Sequence, residues 1–355
     1  MFLFIVNRYI ISNKKVVQMN ISYDALTIEC VDIFCKIGCC KEVAQKTVDA
    51  LLLSEACGVL SHGVRMLPAH AKKIKKCEYN IDAVIEKEIE TPSFARFNSH
   101  NQIGMVSATD CMQFAIDKAL QNGIYTVFAN NCNTFSAAFV YALQAARQGM
   151  IGFTMSNSPA QMAPIGGREK LLGTNPMSYA IPAKRNNPII FDMATSVVAK
   201  SKINQAKEKG EKIPEGWALD IYGNPTTDPN EAVKGLVLPM AGAKGYGLTM
   251  MIDLIAGLLS NAQYLDGVGR FYNNSGQGMN VGQCFIAINP KMVLDSSFYE
   301  KVDDYIDRIH NSDKIENETI SVPGDRKFKN LNYCKQFGFN VSEALWNDFN
   351  KVINE

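Results

Sequence analysis

The chain has 355 residues, more than one typical domain, with 47% hydrophobic and 20% charged residues, the balance of a well-packed globule. Its 36 basic residues against 35 acidic ones leave a net charge of +1, so it carries no electrostatic footprint for nucleic acid or acidic lipid. Ten cysteines are scattered through apolar contexts such as VDIFCKIGCC with no CxxC pair, which excludes a disulfide framework and points to reduced packing residues of a cytoplasmic protein.

The opening stretch MFLFIVNRYIISNKKVVQMN has an apolar core too short to cross a bilayer, no basic residue ahead of it and no small-residue cleavage site. Residues 1–18 are therefore expected to form an extension outside the fold. Met19 is the more natural beginning, because Ser22 or Asp24 can cap the helix that follows. From Asp24 to Cys57 apolar residues recur at helical spacing (Leu26, Ile28, Val31, Phe34, then Val43, Val48, Leu51, Leu52), with a break at Gly38 that divides the run into two helices. Met66–Lys76 predicts a third, with Pro68 in its first turn. Ala108–Gln121 predicts another, closed by Asn122-Gly123.

The texture then changes to short β-rich runs, IYTVFAN, MIGFTMSN, MSYAIPA, NPIIFDMA and later GQCFIAINP. A helix, AAFVYALQAARQG, lies between the first two and no other of that length lies between strands, so a regular βαβ series is excluded and a largely antiparallel sheet is expected. Glu300–Ile309 and Ser342–Ile353 read as helices that pack back on the N-terminal ones. The apolar run Leu248–Leu259 is too short to span a membrane. The expected organisation is a helical lobe at 19–95, a sheet domain at 96–330, and a C-terminal segment at 331–355 that returns to the lobe.

The dinucleotide fingerprint GxGxxG and the Walker loop are both absent. Three glycine-rich turns remain: IGGREKLLGTNP at 165–176, MAGAKGYGL at 240–248 and VPGDR at 322–326. In the second, LVLP reads as a strand, Gly242–Gly247 as a turn and Leu248 onward as an apolar helix. The start of that helix and Lys244 suit a phosphate, although a plain tight turn with a surface lysine fits the same spacing. In LGTNP, read as joining a helix end to a strand, Asn175 is held extended by Pro176, and Thr174 or Asn175 can tie the turn together. Asp192 closes an apolar strand, where a carboxylate is costly without a partner. Cys132 is the one cysteine singled out for a closer look.

His62, in GVLSHGVRMLP, is the best acid/base candidate. An imidazole titrates near neutral pH, Ser61 can orient the ring or bind a substrate oxygen, and Gly63 permits a close approach. A structural histidine at a turn explains an isolated SHG as well. No HExxH or clustered His/Cys set points to a metal.

Taken together, SHGVRMLP, GMIGFTMSNSPAQMAPIGG, LLGTNPMSYAIP, FDMATS, IPEGWALDIYGNPTTDP, LPMAGAKGYGL and VPGDR resemble the type 2 malate/L-lactate dehydrogenase family, in family order from about Met19 onward. That non-Rossmann family includes ureidoglycolate dehydrogenase, diketogulonate reductase, sulfolactate dehydrogenase and piperideine-2-carboxylate reductase. The resemblance implies an α/β (α+β) fold with a largely antiparallel nucleotide-binding sheet and a helical lobe built from both chain ends. It implies a homodimer that transfers hydride between NAD or NADP and a small 2-oxo or 2-hydroxy acid. It assigns acid/base work to His62 with Ser61. It places Ser158, Thr174, Asn175, Asp192, Met193, Ala194, Lys244, Gly245, Gly324 and Asp325 at the cofactor. Asp325 or Arg326 is expected to tip the choice between NAD and NADP.

Three departures from the family pattern matter. The family's NSNHFG is NCNTFS here, so Thr134 replaces a histidine and Ser136 a glycine, and Met66 stands where many members carry arginine. Thr134 can donate a hydrogen bond but cannot serve as a base, and a substrate carboxylate is left to Arg65 or Arg168. Two alternatives follow: reduction of a cyclic imine, which asks less of an acid, and a non-catalytic nucleotide-binding relative.

Overall fold

The computed structural model describes residues 5–11, 14–272 and 278–354. The N-terminal lobe follows from its apolar spacing: helices Tyr23–Lys36 and Lys41–Ala56 part at Gly38, which holds φ +114°. Ser22 caps the first, its Oγ accepting the Ala25 N–H at 3.3 Å. Leu26, Phe34, Leu51 and Leu52 are fully buried, each contributing about 1.5–3 kcal/mol of burial. Pro68 lies in the first turn of Leu67–Lys75, where a missing N–H leaves no helical bond unmade. Helix Glu343–Asn354 returns to this lobe and sets Phe349 with its ring 5.8 Å from that of Phe34.

The segment expected to stand outside the fold is joined to it. Strands Ile5–Ile11 and Lys14–Ile21 form an antiparallel hairpin, and Phe339–Ser342 pairs beside the second, with Gln18 opposite Ser342 and Ile21 opposite Phe339. Runs rich in isoleucine and valine favour strands, and the C-terminal strand offers their edge a partner. Residues 1–4 and 12–13 of that segment lie outside the described residues.

The main sheet has seven strands in the order Ile189–Met193, Met177–Ile181, Ile151–Ser156, Val281–Ile288, Ile124–Cys132, Phe94–Asn98 and Glu86–Glu90. It therefore opens at Glu86, ahead of the boundary expected at 96. Every neighbouring pair is antiparallel except Phe94–Asn98 with Ile124–Cys132, the two strands that flank helix Gly104–Asn122. That helix and Phe139–Arg147 cover one face, where Tyr141 of the second helix packs on Phe285 of the sheet and Tyr125 is likewise fully buried. On the other face Met155 and Cys284 pack against Ile252 and Ala256. Beyond the sheet a satellite core of Met162, Leu172, Val198, Ile203, Ile213 and Val237 holds helix Lys200–Lys209. This helix had no apolar stripe to announce it, since Ile203 is its one buried residue.

Candidate active site

Helix Lys41–Ala56 runs into two short 3-10 turns, Leu60–His62 and Val64–Met66. Ser61 Oγ lies 2.8 Å from His62 Nδ1, and among the described residues His62 Nε2 has no hydrogen-bond partner. His62 keeps an exposed face, while the protein crowded around the rest of the ring lowers its pKa below that of a free imidazole. The close approach expected at Gly63 is made by a neighbour within the chain itself. A Cβ at Gly63 would stand 2.2 Å from Glu55 Oε2, and that oxygen accepts the Val64 N–H at 3.0 Å. The glycine admits the chain's own carboxylate, which locks the second turn.

The loop that carries Thr134 is fixed from below. Asn133 donates to Asn101 Oδ1 at 2.8 Å and to the Gln102 carbonyl at 3.0 Å. Thr134 is half-buried, and Ser136 holds φ +72°, the left-handed region that favours glycine. Its Oγ donates to the His62 carbonyl at 2.6 Å, which joins this loop to the SHG turn. Cys132 is fully buried, its Sγ 3.1 Å from Ser99 Oγ, and burial pushes its thiol up to about 12. It is a packing residue.

Asp192 ends an edge strand and has found the partner its burial demands. Its Oδ2 is 3.5 Å from Lys327 Nζ, and it accepts the main-chain N–H of Phe139 at the start of helix Phe139–Arg147. Burial raises its pKa, and Lys327 opposes the rise. Lys327 also lies 4.2 Å from the centre of the Phe139 ring, a cation–π contact. Cys57, just ahead of the SHG turn, feels the charges of both Lys327 and Asp192. His62, the 133–136 loop and the Asp192–Lys327 pair thus gather around the start of one helix. Lys327 escaped the sequence reading because it is one lysine among several in Asp325–Phe337. Met193 is paired with Met177 in the same strand pair, and half-buried Ala194 follows it.

A second group surrounds the start of helix Ala243–Ile252. LGTNP joins strand Leu172–Gly173 to Met177–Ile181, not a helix end to a strand, because Leu172 pairs with Met162. Asn175 is fully buried; its Oδ1 accepts the Ser158 N–H at 3.0 Å and its Nδ2 donates to the Thr249 carbonyl at 3.0 Å. The Thr174 carbonyl accepts the Thr195 N–H at 2.9 Å, and the Thr195 carbonyl accepts the Met240 N–H at 2.9 Å. Gly245 is buried against Met240, whose carbonyl accepts its N–H at 3.0 Å. The turn expected across Gly242–Gly247 is shorter than that: the helix begins at Ala243, so Lys244, Gly245 and Gly247 already belong to it. Gly242 holds φ +59° with no heavy atom within 4 Å of where a Cβ would stand, and Lys244 is exposed.

The PGD turn is drawn onto the edge of the sheet. The Pro323 carbonyl accepts the Ile190 N–H at 2.8 Å, and a Cβ at Gly324, which holds φ +115°, would stand 3.0 Å from the same nitrogen. Asp325 Oδ2 is engaged by the Val322 N–H at 2.9 Å and by His310 Nε2 at 2.8 Å.

Neither candidate arginine makes a hydrogen bond or ion pair with His62 among the described residues. Arg65 lines a cleft of about 310 Å³ with Lys72, Lys73, Phe271 and Asp348, and His62 is not part of its wall. In that region Met66 Sδ lies 3.7 Å from the Tyr272 hydroxyl. Arg168 sits in the 165–170 loop, its Cβ 3.9 Å from the Cβ position of Gly223. Among the described residues no group of three or more His, Cys, Asp or Glu could hold a metal ion, and no helix is long and apolar enough to cross a membrane.

The profile of the malate/L-lactate dehydrogenase family matches residues 21–350. The malate/(S)-sulfolactate dehydrogenase of Methanothermus fervidus is 35% identical over 92% of this chain and 94% of its own length. The NAD(+) ureidoglycolate dehydrogenase of Escherichia coli K12 is 36% identical over 80% of each chain. The sulfolactate dehydrogenase structure from Methanocaldococcus jannaschii superposes with a TM-score of 0.89 at 34% identity, covering 95% of this chain and 97% of that one. The delta1-piperideine-2-carboxylate reductase structure from Pseudomonas syringae pvar. tomato gives 0.85 at 26% identity, covering 94% and 99%. With a match spanning both the helical lobe and the sheet, the chain belongs to the malate/L-lactate dehydrogenase family of NAD(P)-dependent 2-hydroxy acid oxidoreductases.

Proposed function

We propose that His62 is the acid/base of a small 2-oxo acid reductase and 2-hydroxy acid dehydrogenase, with Ser61 setting its tautomer. The observation that carries this is the 2.8 Å contact between Ser61 Oγ and Nδ1 on a histidine whose residue remains exposed. With Ser61 donating to Nδ1, the proton of the neutral ring resides on Nε2, the atom without a protein partner. In the reductive direction Nε2 gives a proton to the substrate oxygen, and in the oxidative direction it takes that proton back. A placed acid of this kind contributes about 10²–10⁴ in rate. Thr134, on the loop tied to the His62 carbonyl, supplies a hydroxyl donor. It holds a substrate oxygen but moves no proton.

The residues fit a dinucleotide. The start of helix Ala243–Ile252 is open at Gly242 and carries exposed Lys244, which suits a pyrophosphate. Asp192, Met193 and Ala194 lie at the strand end nearest the SHG turn, where the nicotinamide would be held; once bound, that ring supplies or accepts the hydride. Ser158, Thr174, Asn175 and Gly245 hold this end of the site in shape. Gly324 and Asp325 brace it from the edge strand.

Cyclic imines are a second substrate class, favoured by Thr134 where a titratable group would otherwise stand and by the similarity to a piperideine-2-carboxylate reductase structure. The test is oxidation of NADH and NADPH by the purified protein against 2-oxo acids (pyruvate, oxaloacetate, sulfopyruvate) and cyclic imines. Turnover of 2-oxo acids that is lost in His62→Ala supports the proposal. Turnover confined to imines supports the second reading, and none at all contradicts both.

Met250, Met251, Leu254, Leu258 and Leu259 are exposed along the stretch from Ala243 to Leu259. We read this apolar face as the seat of a second copy, so light scattering after size exclusion should give a dimer. Among the described residues none of the ten cysteines is paired, which supports a cytoplasmic location.

A further inference from the structure

We propose that Ser136, backed by Ser54, is a positioning residue that acts through the main chain of His62. This rests on the reading of His62 as the acid/base. Ser136 Oγ lies 2.6 Å from the His62 carbonyl and 2.9 Å from Ser54 Oγ, and Ser54 Oγ is also 2.8 Å from the Ala50 carbonyl. Two hydroxyl protons face three contacts. One arrangement runs Ser54 to Ser136 to the His62 carbonyl and spends both protons. The other leaves Ser54 on its own helix and Ser136 alone on His62. In both, Ser136 is the donor to His62; running the protons from Ser136 to Ser54 to Ala50 instead would leave the shortest of the three contacts, 2.6 Å to the His62 carbonyl, without a proton, so the 60–62 turn is pinned to the loop that carries Thr134.

The backbone supports a specific role for this hydroxyl. Ser136 holds φ +72°, which costs a residue with a Cβ about 1–2 kcal/mol relative to glycine. A glycine would adopt that conformation freely but would bring no donor. Ser54 is fully buried, so its hydroxyl has no water to turn to. His62 has its side chain held by Ser61 and its main chain held by Ser136. The first contact fixes the ring's tautomer, and the second fixes where the ring stands relative to Thr134. Reactions that depend on an aligned donor lose rate steeply when the donor moves by a fraction of an ångström.

Ser136→Gly removes the hydroxyl while relieving the backbone, so loss of the fold does not explain its effect. Ser136→Ala removes the hydroxyl and keeps the strain. Both should cut turnover about tenfold with cofactor affinity unchanged, and neither should alter the residual turnover of His62→Ala. The chain has four histidines, so the ring signals can be followed individually by NMR. That of His62 should shift in Ser136→Gly while those of His70, His100 and His310 stay in place. An unmoved His62 signal, or the same fractional loss of turnover in the His62→Ala background, overturns the proposal. Should the native protein turn over none of the substrates tried, the acid/base reading falls, and the His62 signal still decides whether Ser136 positions that turn.

Discussion

Two turns of this molecule look alike in sequence and do opposite things. SHG and LGTNP each place polar side chains beside glycine at a bend. In LGTNP the Asn175 amide is fully buried and spends both ends on Ser158 and Thr249. In SHG the His62 ring is held at one nitrogen by Ser61, and the other has no partner among the described residues. A polar group whose bonds are all made holds the frame; one left half-satisfied and exposed is available to a ligand. On the proposed reading of His62, the contrast separates framework from chemistry where residue type alone does not.

The largest effect expected is that of His62→Ala, which should lower turnover by about 10² or more with cofactor affinity, read by fluorescence quenching, nearly unchanged. Equal loss of both would make His62 a framework residue like Asn175. Asn175→Ala should do the reverse, lowering stability by about 2–4 kcal/mol because Ser158 N–H and the Thr249 carbonyl lose their partners; chemical denaturation reads this. Turnover per folded molecule should fall far less than in His62→Ala.

Lys327→Met tests the region between the two turns. It leaves the Asp192 carboxylate buried without its cation, a loss of about 2–4 kcal/mol near neutral pH. Burial already raises the Asp192 pKa, so the folded protein holds this proton where the unfolded chain has released it. The deficit should shrink as pH falls and Asp192 becomes neutral, and a deficit independent of pH would contradict the pairing. The smallest effect should come from Arg168→Ala, within about twofold in kcat/KM, because its loop lies beside Gly223 rather than at His62.

The N-terminal helices, the largely antiparallel character of the sheet and the helix Phe139–Arg147 were legible because burial imposes a period on sequence. Leu26, Phe34, Leu51 and Leu52 are apolar because they face one core. The limits of the Ala243–Ile252 helix were not, since glycines that usually end helices here sit in its first turns, where Gly245 allows close packing on Met240. The Lys200–Lys209 helix escaped because it docks through one side chain. At the site, His62, Asp192 and Lys244 carry residue types that announce chemistry. Lys327 does not, for its role arises only when a helix after the PGD turn crosses the end of a distant strand. Glu55 and Ser54 lay hidden inside an amphipathic run, and nothing in the local sequence says that they face the SHG turn.

The pH dependence of kcat/KM for reduction tests the central claim most directly. A proton donor must be protonated to act, so activity should be full at low pH and fall as pH rises through the His62 pKa. Crowding around the ring lowers that pKa, which places the inflection on the acid side of a free imidazole; the oxidative direction should rise through the same inflection. A profile without that inflection, or one that persists unchanged in His62→Ala, would contradict the account.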